Sequence, residues 1–220
     1  MTVEGQLGRS LRFEAACVSA LAVIALLLVS LAFIEVGPLS THMLVHVGTM
    51  NILAPLLAAV LAATGWLTAA LGRAAILWWA TALQMVLLWA WHSHAIQHVA
   101  HSSATVAVAL HAALLIAALI YWCAVIVSSA RPWQTILALL ISGKLACLLG
   151  ALLVFSPRLL LPMPAFGESA ISDQHLAGLI MLAACPLSYI LAAIVLTAQE
   201  ISRLQTQSGK IHRDRFPVGG

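Results

Sequence analysis

Residues 39–55 read LSTHMLVHVGTMNILAP, and the reading of this stretch decides the fold class. Ser40 and Thr41 are hydroxyl residues of the kind that cap a first helical turn. His42 and His46 follow, four apart, so on a helix they share one face. Met43, His46 and Met50 form a second line beside the first. From there the chain is apolar to Gly65. This pattern predicts a transmembrane helix with imidazoles and thioethers at its entrance, where lipid favours leucine.

The composition agrees. Of 220 residues, 63% are hydrophobic and 8% charged, with a mean hydropathy of +1.05. That balance excludes a soluble globular domain and predicts an all-α, polytopic membrane bundle. A span needs about 20 apolar residues. Six stretches qualify, at 15–34, 41–64, 74–91, 104–127, 133–155 and 172–199. They form one membrane domain over 15–199, between a short tail at 1–14 and a basic tail at 200–220. Arg9 and Arg12 precede the first run as in a signal peptide, but the run is long enough to be a retained first helix. Pro55 and Pro186 fall inside spans, where membrane helices tolerate them with a kink. The formal charge of +3 comes from loops and termini and gives no case for nucleic acid.

The basic residues set the orientation. Arg9, Arg12, Arg73, Arg131, Arg203, Lys210, Arg213 and Arg215 fall on one side if both termini are cytoplasmic, and Arg158 alone falls on the other. On that topology eight of the nine histidines share the outer side or outer half: His42, His46, His92, His94, His98, His101, His111 and His175. Packing histidines would scatter to both sides. The segment 92–103, HSHAIQHVAHSS, places His94, His98 and His101 on one helical face. It predicts an interfacial or re-entrant helix over the mouth of the bundle and an entry route for metal.

Imidazole binds copper, zinc, iron and nickel, and thioether sulfur selects Cu(I). His42, Met43, His46 and Met50 therefore read as the core of a copper-type site, with His92, His111 and His175 approaching from other segments. Asp173, with Gln174 beside it, is placed to orient an imidazole from behind the ligands. An isolated H-x-x-x-H is equally often a packing pair, and the loop histidines can be a solvated cap. Zinc is the alternative ion. Haem b held between histidines of two spans is an alternative cofactor and would make the chain an electron carrier. Asn51, Gln84 and Lys144 are polar within the membrane, which raises a third reading, a metal or proton transporter with a path past Lys144. The four cysteines are isolated in apolar runs and predict packing without disulfides. No nucleophile elbow, Walker loop or H-E-x-x-H occurs, and no enzyme is expected.

Four ordered motifs carry a family resemblance. They are STHMLVHVGTMNILAPLL in the second span, Trp91-His92 followed by His111, GALLVFSPRLLLP at 150–162, and DQHLAGLIM at 173–181. Together they resemble the polytopic CtaG family of cytochrome c oxidase assembly proteins. The resemblance implies a multi-pass inner-membrane factor, a chaperone-like helper that handles copper while oxidase is built. Oxidase subunits or other assembly factors would be its partners. The family's histidines fall on His42, His46, His92 and His111, and its D-Q pair on Asp173 and Gln174. His175 stands where a second glutamine is expected, and His94, His98 and His101 are additions to the pattern.

Overall fold

The structure is a computed structural model. It describes residues 37–67, 69–128, 132–160 and 168–215, so the expected first span and Cys17 lie outside the described residues. Everything described is helix and connection, without a strand. Helix α1 is Pro38–Val47, a wide π-type turn occupies Gly48–Leu53, and α2 is Ala54–Ala63. Then come α3 (Ala74–Trp91), a short α4 (His94–Ser102), α5 (Ala104–Val127), α6 (Pro132–Phe155) and α7 (Glu168–Arg215). Five of the described helical stretches are long and apolar enough to cross a membrane, counting Pro38–Ala63 as one.

The second span starts earlier than its hydroxyl residues predict. Gly37 is the N-cap and Pro38 takes the first position, where a missing N–H costs nothing. Ser40 caps no turn of its own. The free amides of this end are instead met by Asp173 of α7, which accepts from Leu39 N at 2.9 Å and Ser40 N at 3.1 Å. The Ser40 hydroxyl donates to the same carboxylate at 2.5 Å. A carboxylate at a helix N-terminus also complements the helix dipole. A Cβ on Gly37 would run into the Asp173 carboxylate, so only glycine admits it this close.

The wide turn answers Pro55. Ala54 N–H reaches back five residues to Thr49 O. Continuing that register would offer Met50 O to Pro55, which has no N–H. The indole N–H of Trp122 on α5 takes that carbonyl instead, at 2.9 Å. A local defect is thereby repaired across the bundle, as membrane helices require.

Helix α7 packs along α6 and against α1, while α5 carries α2 and α3. Gly150 and Gly178 let α6 and α7 approach closely. A Cβ on Gly178 would sit 2.8 Å from Gly150 O. The last helix continues through the expected end of its span to Arg215, so the basic segment after 199 begins as helix. Cys123 and Cys185 are buried, Cys147 is half-buried, and all three are free thiols, as their isolation in apolar runs predicts. Trp66, Trp79 and Trp133 are exposed at the end of the bundle away from the histidines, as interfacial anchors would be.

Candidate metal centre

Three helices bring their side chains together at the opposite end. The first turns of α1 supply His42, Met43 and His46. The last residue of α3 is Trp91, and His92 caps that helix. His111 comes from α5, two turns below its start. Ring nitrogens of His42, His46 and His92 all lie within 4.8 Å of one another. The His111 ring stacks on His46 at 5.5 Å between centroids and meets His42 edge-on at 5.6 Å. Trp91 packs against His111 at 4.5 Å and stacks on His42 at 5.3 Å. His46 is 3% exposed and His92 is 9% exposed, while His42 and His111 are half-buried, so the centre is sunk among the helix ends rather than lying on the surface.

Hydrogen bonds fix the lone pairs of three of these rings. His92 Nδ1 lies 2.7 Å from Leu88 O, and His111 Nδ1 lies 2.8 Å from Ala107 O. A carbonyl can only accept, so both rings donate from Nδ1 and keep Nε2 bare. The Nε2 of His92 faces Met43 Sδ at 3.4 Å. The indole N–H of Trp91 donates to His42 Nε2, which must therefore also be bare. His46 Nε2 lies 2.8 Å from that same nitrogen. On the other side of that ring, the buried His46 Nδ1 has no hydrogen-bond partner among the described residues. An unpaired polar atom in a buried site asks for a ligand. Burial lowers the pKa of His92 to about 4, opposed in part by its bond to Leu88 O, so this ring is neutral at physiological pH.

The other expected site residues divide. Met50 is buried in the core one turn beyond His46, and the sulfur that meets a ring nitrogen is that of Met43. His175 is half-buried on α7 and is not among the rings that meet. Asp173 was expected to orient an imidazole, but both its oxygens serve α1. It positions His42 and His46 by fixing the helix that bears them. Gln174 is fully buried and clamps the connection after α6. It accepts from Leu160 N at 2.8 Å and donates to Arg158 O at 3.1 Å. His94 and His98 are exposed on α4, while Gln97 on its inner face donates to Trp91 O at 3.0 Å and seats that helix over the centre. His101 lies on the same helix.

The polar residues of the membrane interior do not line one path. Gln84 is fully buried and donates to Tyr189 OH at 2.7 Å. Asn51 is buried within the wide turn, whereas Lys144 is exposed on the outside of the bundle. Two contributors escaped the sequence reading, Trp91 as a donor into the centre and Trp122 as the keeper of Met50 O. The pairing of Trp91 with His92 was the available signal for the first.

Compared with known proteins, the chain matches the family model described as cytochrome c oxidase caa3 assembly factor (Caa3_CtaG) over residues 4–203. No curated protein and no solved structure matched it. The match spans most of the chain and agrees with the four motifs, so this protein belongs to the Caa3_CtaG family of cytochrome c oxidase assembly factors.

Proposed function

We propose that this assembly factor takes copper as its cargo, at the histidine-rich end of the bundle. The observation that carries the reading is the gathering of His42, His46 and His92, each with a ring nitrogen within 4.8 Å of the others, around a buried His46 ring whose Nδ1 has no hydrogen-bond partner among the described residues. Several imidazole lone pairs converge there with the thioether of Met43, a donor set whose softness favours Cu(I). His42, His46 and His92 would hold the ion with Met43, and His111 would lie against them. Zinc tolerates three imidazoles equally well, and the thioether is the feature that tips the set toward copper. The rings touch one another, which leaves no gap for a macrocycle, so the same geometry favours an ion over haem b.

The charge asymmetry of the loops supports both termini in the cytoplasm, and hence a centre opening on the periplasmic face of a bacterial inner membrane. The exposed His94 and His98 then stand at its entrance, where they can receive the ion. The chain acts without catalysis: it holds copper and passes it to an oxidase subunit or to another assembly factor. Purified without chelator, the protein should retain about one copper per chain. A folded variant with His42→Asn, His46→Asn and His92→Gln should retain none. Full retention in that variant removes the site.

A further inference from the structure

Lys144 stands 12 residues from Pro132 and 11 from Phe155 in α6. At 1.5 Å per residue both ends of the span are roughly 16–18 Å away. A lysine stem reaches about 6 Å, so its ammonium cannot snorkel to either headgroup layer. The side chain is exposed on the outer surface of the bundle. It edges a groove of about 120 Å³ formed by Leu139, Leu140, Gly143, Cys147, Pro186 and Ile190. Among the described residues nothing hydrogen-bonds or ion-pairs with it.

Among the described residues no carboxylate lies at that depth. Glu168 and Asp173 lie in the first turns of α7, and Asp173 is committed to α1. Glu200 and Asp214 lie well beyond Pro186, and Glu4, Glu14 and Glu35 fall outside the apolar run 15–34. A second copy of the chain would bring the same distribution and no acid at mid-span. Lipid tails supply no hydrogen-bond acceptor.

We propose that Lys144 and its groove form a docking surface for a transmembrane helix of another protein, one carrying a carboxylate at mid-bilayer. An intramembrane cation is costly alone and is normally paired. Here none of the described residues supplies the pairing group, and a partner's carboxylate would. The groove beside Lys144 is lined by apolar side chains of α6 and α7, so a partner helix can pack there while its carboxylate meets the ammonium. This surface is separate from the histidine centre and does not depend on copper.

The test uses the full chain, labelled with a fluorophore, in phosphatidylcholine vesicles. The probes are synthetic Leu/Ala transmembrane helices with a single central Glu, Gln or Leu, read by energy transfer. The Glu helix should associate about tenfold more tightly than the Gln or Leu helix. Lys144→Leu should abolish that preference and Lys144→Arg should keep it. Lys144→Glu should transfer the preference to a helix with a central Lys. Equal association of the three probes with the native chain overturns the proposal. So does a Glu preference that survives Lys144→Leu, or self-association of the chain alone that Lys144→Leu removes. Circular dichroism of each variant separates loss of docking from loss of fold.

Discussion

The indole N–H of Trp91 donates to Nε2 of His42, and in doing so occupies a lone pair that faces the other imidazoles. An ion held by His42 through that nitrogen must displace the indole. Trp91 is thus a competitor for the site as well as part of its wall.

Removing the competitor should strengthen binding. Trp91→Phe keeps an aromatic wall and deletes the donor. A neutral hydrogen bond contributes about 1 kcal/mol net, so the Cu(I) affinity of the variant should rise by roughly fivefold. Competition against a chromophoric Cu(I) chelator reads this directly. An unchanged or weakened affinity would show that the indole bond does not oppose the ion.

Asp173 should behave as a structural cap with an indirect effect on the centre. Asp173→Ala leaves Leu39 N and Ser40 N without their acceptor. Losses of this kind cost about 1–3 kcal/mol, seen as a lower midpoint of thermal unfolding in detergent. Copper binding should weaken with it, because α1 carries His42 and His46. Full copper affinity in a protein whose melting point has fallen would separate the cap from the site.

The contact of Gly150 with Gly178 should be intolerant of a single methyl. In Gly178→Ala the new Cβ would meet Gly150 O and Val154 Cγ2 at 2.8 Å and Leu153 Cβ at 2.9 Å, two of them rigid parts of the chain. Overpacking of this kind costs about 1–3 kcal/mol. The α6–α7 pair should separate or shift, and the thermal midpoint should drop. Gly48→Ala is the control, since nothing lies within 4 Å of a Cβ there.

Acid should destabilise the metal-free protein through His92. Burial holds this ring neutral down to about 4, whereas in the unfolded chain it protonates near the ordinary value of 6.5. The unfolded state therefore binds the proton first as pH falls. Stability is full above about 6.5 and is lost progressively toward 4, by up to about 3 kcal/mol at the lower limit. Unfolding midpoints of the metal-free protein at several pH values should show this slope, and His92→Gln should flatten it. An equal slope in both would assign the acid sensitivity elsewhere.

Helical spacing alone was enough to place His42 beside His46, and counting spans put His92 and His111 at the same end. Those are short-range and topological facts, and both follow from apolar length and period. The cap on α1 was illegible because its acceptor lies more than 130 residues away, and nothing in the hydroxyl pair Ser40–Thr41 reveals that Asp173 outcompetes it. For the same reason Asp173 looked available to an imidazole. His175 shares the outer end but not the right face of α7, and face is set by the packing of α7 on α6 and α1. The wide turn before Pro55 reflects a backbone register that proline excludes, and its repair by Trp122 needs the tertiary arrangement.

The most direct measurement is X-ray absorption at the copper edge on protein purified without chelator and reduced to Cu(I). The account requires about one copper per chain, with imidazole nitrogen and one thioether sulfur in its nearest shell, and loss of the sulfur in Met43→Leu. A metal-free protein, or a copper shell that lacks imidazole or is unaltered in Met43→Leu, would contradict it.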